Sequence, residues 1–84
     1  MKYIVTKDED GKEEIFIFPR NVNHDCMAEV LGFIKNQTYG SWERVFRIPV
    51  SAGFVDPKGI CYGESESLGI ESRQQDSSLI TMAH

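Results

Sequence analysis

His24, Asp25 and Cys26 stand together, and they are the residues best equipped for chemistry in this chain. Cysteine and histidine are the materials of a thiol nucleophile and its base. Their spacing works against that role. Neighbours one or two apart on a helix point in divergent directions, so His24 and Cys26 do not form a dyad by themselves. The other histidine, His84, belongs to the tail. The sequence thus reads His24 as an exposed first-turn residue and Cys26 as a small apolar residue beside a core. A structural zinc needs several Cys or His ligands in paired spacings, and Cys26, Cys61, His24 and His84 offer none. The run Asp8-Glu9-Asp10 lacks the calcium-loop pattern and reads as a solvated hairpin tip. Gly53, Gly59, Gly63 and Gly69 fall in no phosphate-binding pattern. No catalytic residue, metal or cofactor is expected.

The totals narrow the classes further. A chain of 84 residues is one domain, 1–84, near the lower limit of what folds without staples. With 40% apolar and 26% charged residues it is globular in composition. Its net charge of −4 gives it no electrostatic reason to seek nucleic acid or anionic lipid, so nucleic acid is disfavoured as a partner. Arg44, Arg47 and Lys58 are too few and too diluted by acid to make a basic footprint. No apolar run approaches a signal-peptide core or a membrane span, so the expected location is the cytoplasm, with Cys26 and Cys61 as free thiols.

The elements that would position any site follow from pattern. Residues 2–18 read as a β-hairpin about a two-residue Asp10-Gly11 turn. That turn sets Tyr3 against Phe18, Ile4 against Ile17, Val5 against Phe16, Lys7 against Glu14 and Glu9 against Lys12, with Asp8 and Glu13 as a like-charge clash. Tyr3, Val5, Phe16 and Phe18 then share one face, and Ile4, Thr6, Ile15 and Ile17 the other. Both faces are apolar, so one helix cannot cover them, and the surplus face requires the C-terminal segment, a second subunit or a partner. Residues 24–35 read as a helix capped by Asn23, with Met27, Val30, Leu31 and Ile34 as its buried stripe. Gly32 falls on the opposite face, and residues 36–40 end the helix. Residues 42–50 read as a strand with Pro49 at an edge or bulge. A second hairpin turns at Asp56-Pro57-Lys58-Gly59 in a type I turn. Residues 63–84 read as a polar loop followed by a short helix and a partly flexible tail. The expected class is α+β: an antiparallel sheet of four to five strands in the order β-β-α-β-β(-β), with one helix packed on one face and a short C-terminal helix.

The last half of the chain carries a recognisable pattern. Ser51-Ala52-Gly53-Phe54, then Cys61-x-Gly63-x-Ser65-x-Ser67-Leu68 and Ser72-Arg73-x-x-Asp76, resembles a family of small phage- and prophage-encoded proteins. The family has no assigned activity, so the resemblance implies no site residues. By analogy with anti-CRISPR and anti-restriction proteins, it implies a protein that binds and blocks a host protein in the host cytoplasm. The surface residues expected to serve such contact are Ile4, Ile15 and Ile17 on the second hairpin face, and Trp42, Phe46 and Ile48 on the following strand. A homodimer is the expected assembly. Two other classes remain open at this point: a small nucleic-acid-associated regulator, and a thiol-dependent enzyme using Cys26 or Cys61.

Overall fold

β1 (Lys2–Lys7) is hydrogen-bonded on both sides, and every side chain from Tyr3 to Thr6 is buried. The computed structural model describes residues 1–35 and 40–83. Around β1 the chain builds a four-stranded antiparallel sheet in the order β2-β1-β5-β6. Its other strands are β2 (Glu13–Phe18), β5 (Ile48–Val55) and β6 (Cys61–Tyr62). Helix α1 (His24–Leu31) follows β2, and helix α2 (Asp76–Ala83) comes last. Two short two-stranded sheets complete the fold: β3 (Phe33–Lys35) with β4 (Trp42–Arg44), and β7 (Glu64–Ser65) with β8 (Ile70–Glu71). The α+β class and the antiparallel sheet expected from the sequence are present.

Alternation along β1 divides the core in two. Tyr3 and Val5 pack with Val55 of β5 and Ile80 of α2. Ile4 packs on the opposite face with Phe18 and Ala52, and Met27 and Ala28 of α1 close over them. Full burial of an aliphatic side chain contributes about 2 kcal/mol, so β1 anchors both layers at once. Both hairpin faces are apolar, as the sequence required, and the C-terminal segment is what lies on the surplus one.

The hairpin register differs by one residue from the expected one. Tyr3 faces Ile17, Ile4 faces Phe16, Val5 faces Ile15 and Lys7 faces Glu13. The turn is the cause. Asp8 Oδ1 accepts hydrogen bonds from the backbone N–H groups of Asp10 and Lys12 at 3.0 and 2.9 Å. Gly11 N–H donates to the Asp8 carbonyl at 3.0 Å, and Asp8 N–H donates to the Lys12 carbonyl at 3.0 Å. Gly11 has φ +83°, so the connection is a type I turn closed by a left-handed glycine rather than a two-residue turn. A one-residue slip changes which residues share a face. Ile15 and Ile17 therefore join Tyr3 and Val5, while Phe16 and Phe18 join Ile4. The expected Asp8–Glu13 clash vanishes because Asp8 lies inside the loop. The Asp56–Gly59 turn repeats the same bonds, with Asp56 Oδ1 accepting from Lys58 and Ile60.

Helix α1 stops at Leu31 rather than at 35. Glycine in a helix interior costs about 1 kcal/mol relative to alanine, and the residues after Gly32 pair with β4 instead. Val30 consequently points outward, 65% exposed, and His24 takes the buried place beside Met27 and Ala28. The burial of Ile34 and the helix end at 36–39 lie outside the described residues, as does His84. The strand expected over 42–50 is broken between Arg44 and Ile48. Pro49 sits where the β1–β5 register shifts, as expected of a residue that cannot donate to a ladder. The stretch that read as a loop holds β7 and β8.

β5 passes close to β6 at Gly53. A β-carbon there would overlap the Tyr62 carbonyl oxygen and crowd Ser72 Cβ at 3.3 Å. Gly53→Ala should therefore lower the unfolding free energy by about 2 kcal/mol, the usual cost of overpacking a site with no room. The readout is a lower urea midpoint at unchanged slope. An unshifted midpoint would show that the backbone gives way freely.

Candidate functional site

The stretch from Trp42 to Ile48 is held by its neighbours and turns large apolar side chains outward. Val45 N–H donates to the Gly32 carbonyl at 2.8 Å. Arg47 Nη1 donates to the Leu31 carbonyl at 2.8 Å, which caps the C-terminus of α1. The same guanidinium lies 5.3 Å from the centre of the Phe16 ring, within cation–π range. Between these anchors Phe46 is 51% exposed, flanked by Trp42 at 68% and Ile48 at 50%. Phe46 also borders a shallow depression of about 320 Å³, lined by Asp8, Glu9, Asp10 and Glu14 of the first hairpin and by Arg44, Val45 and Arg47. The depression thus carries both signs of charge around Val45 and Phe46.

The other expected contact residues fare differently. Ile4 is fully buried between Phe18 and Ala52 and is corrected from surface to core. Ile15 packs against the Tyr3 cluster. Ile17 is 37% exposed at the margin of the sheet. The corrected register explains the divergence. Ile4 faces α1, whereas Ile15 and Ile17 face α2, which covers Ile15 but leaves Ile17 partly open.

A polar cluster missed by sequence reasoning ties α2 to the sheet. Asp76 Oδ2 accepts from the Tyr3 hydroxyl at 2.5 Å and from the Arg73 backbone N–H at 2.9 Å. Arg73 Nε donates to Asp76 Oδ1 at 3.0 Å, and its Nη atoms grip both oxygens of Glu13 at 2.8 and 3.2 Å. Burial alone would raise the Asp76 pKa, but the bonds from Tyr3 and Arg73 outweigh it and hold the carboxyl below its ordinary range. Arg73 likewise holds Glu13 low. Burial, then the Asp76 carboxylate, push the Tyr3 phenol far up. Ser51 Oγ is buried beside this cluster without a well-formed hydrogen bond of its own. The signal in the sequence was Arg73-x-x-Asp76, one helical turn apart, but its third member, Tyr3, stands at the other end of the chain.

His24 is corrected from exposed to buried. Its Nε2 donates to the Gly53 carbonyl at 2.9 Å, and Phe18 and Phe54 meet its ring edge-on at 5.4 and 5.9 Å. A cleft of about 480 Å³ opens beside it, lined by Lys2, Phe54, Glu64 and Glu66. Lys2 Nζ is engaged by the Val22 carbonyl at 3.0 Å, so both basic groups of this cleft serve the fold. Cys26 is exposed and Cys61 half-buried, both as free thiols. Burial pushes the Cys61 thiol up, opposite to the activation a nucleophile needs. Among the described residues no three His, Cys, Asp or Glu side chains gather as metal ligands, and no helix is long and apolar enough to cross a membrane.

The residues of the Ser51–Asp76 pattern have structural work. Gly53 admits the Tyr62 carbonyl. Ser65 Oγ accepts from Leu68 N–H at 3.2 Å, and its carbonyl accepts from Gly69 N–H at 2.9 Å, which closes the β7–β8 turn. Leu68 packs on the Ile4 cluster. Arg73 and Asp76 seat α2.

The cluster makes stability depend on pH in both directions. Asp76 and Glu13 have folded pKa values below their unfolded ones, so their stabilisation is complete above about pH 5 and is lost as pH falls through the folded values. Tyr3 is raised, so its contribution holds below about pH 10 and is lost as pH rises beyond it. Asp76→Asn should cost about 3 kcal/mol at neutral pH, because Arg73 and Tyr3 lose a buried charged partner. It should also flatten the acid limb of the stability curve in urea unfolding. A variant as acid-sensitive as the original chain would remove Asp76 from this role. No family model, no curated protein and no solved structure matches this chain.

Proposed function

We propose that this chain is a non-catalytic phage or prophage accessory protein that acts in the host cytoplasm by binding another protein. The observation that carries this reading is the exposure of Trp42, Phe46 and Ile48 on a backbone anchored at Val45 and Arg47. Aromatic and aliphatic anchors on a preordered backbone favour association, because little ordering entropy remains to be lost. The chain's net charge of −4 favours a partner with a basic surface. Inhibition of a host defence complex is the form of action that the family resemblance suggests.

Trp42 is the chain's one tryptophan, which makes it a reporter of this surface. Free protein should show red-shifted emission that iodide quenches, and captured partner should shift it to the blue and shield it. The double substitution Trp42→Ala/Phe46→Ala should weaken capture from host lysate at least about tenfold while the melting temperature stays unchanged. Undiminished capture by the double variant would exclude this surface.

A further inference from the structure

The two margins of the four-stranded sheet are built differently. β6 has two residues and offers little to a new strand. β2 has six, paired along its whole length to β1 without a register shift. The sheet's bulge lies on the far side of β1, against β5. Among the described residues β2 pairs only with β1, so alternate backbone N–H and C=O groups on its outer side meet no strand. Proteins blunt such an edge with lysine, proline, a bulge or a very short strand. Ile15, Phe16, Ile17 and Phe18 contain none of these, and Ile17 stays 37% exposed at that margin.

We infer that β2 pairs antiparallel with β2 of a second copy of this chain, joining two sheets into one. The strand's own sequence selects that occupant. A two-fold axis normal to the sheet keeps each face on its own side, so residues pair with residues of the same face. Centred on Phe16, it sets Phe16 against its twin, Ile15 against Ile17 of the second copy, and Glu14 against Phe18. Both acidic residues sit at one end of β2, so the antiparallel arrangement carries them to opposite ends of the joint and no glutamate faces its twin. Apolar cross-strand pairs stabilise such a joint, and like charges directly opposite would oppose it. The α1 layers and the α2 layers also continue on the same sides. The joint borders the 42–48 stretch at Phe16 and Glu14, but it is made by the β2 backbone and does not rest on the function proposed for that stretch.

Sedimentation velocity and residue-resolved amide exchange on the full chain test the inference. At high micromolar concentration the chain should sediment as a dimer. Alternate β2 amides should then exchange at least about tenfold more slowly than in dilute solution, with β6 unaffected. Ile17→Lys places lysines against apolar residues across the joint and should yield a monomer with an unchanged melting temperature. Trp42→Ala/Phe46→Ala should still dimerise. A monomer at all concentrations overturns the inference, as does a dimer whose β2 amides show no added protection. Dimerisation lost in the Trp42 and Phe46 variant also overturns it. The amide exchange needs no substitution, so it decides the matter even if Ile17→Lys fails to fold.

Discussion

Asp76 lies fully buried as a carboxylate, and its need for partners decides how the chain closes. Taking such a group out of water costs several kcal/mol unless its oxygens are satisfied. The Tyr3 phenol, the Arg73 amide and the Arg73 guanidinium satisfy them, and Arg73 reaches on to Glu13. β1, β2 and the start of α2 thereby meet at one point. Apolar contact between Ile80 and the Tyr3–Val5 face would also hold α2 down, but dispersion and burial are non-directional and tolerate sliding. The carboxylate admits one seat. Because α2 is the cover of the second sheet face, the placement of half the core follows from it.

How much of this the sequence disclosed depended on the range of each interaction. The strands, the Asp56–Gly59 turn and the Pro49 irregularity were legible because their causes lie within a few residues. The first hairpin was legible as a hairpin and misread in register. Asp10-Gly11 promises a two-residue turn, yet Asp8, two positions earlier, has a side chain that bonds the backbone of Asp10 and Lys12 and draws the loop one residue wider. Helix α1 was read too long because Phe33 and Ile34 fit a helical stripe as well as a strand, and only pairing with Glu43 and Arg44 decides between them. His24 looked like a solvated first-turn residue, because its acceptor, the Gly53 carbonyl, is distant in sequence.

The candidate contact residues divide along the same line. Trp42, Phe46 and Ile48 are exposed, as a contact surface needs. Ile4 was assigned to the open face through the register error, and the surplus face it was meant to occupy is largely closed by α2. The case for association therefore rests on fewer residues than the sequence suggested, and on better-defined ones. Arg47, which looked like a diluted basic residue, proves to be a brace that fixes Phe46 in place.

His24, Tyr3 and Arg73 are drawn inward, and each is occupied by the fold. His24 donates to a backbone carbonyl, Tyr3 to Asp76, and Arg73 is divided between two carboxylates. Ser65, Arg73 and Asp76 belong to this same frame. Outside the frame stand apolar side chains on a braced loop and the open backbone of an edge strand. A protein gains from both, because it can cover an aromatic patch and complete a hydrogen-bond ladder in one event. That asymmetry, with the Tyr3, His24 and Arg73 side chains engaged inside and apolar side chains turned outward, supports the binding role proposed above.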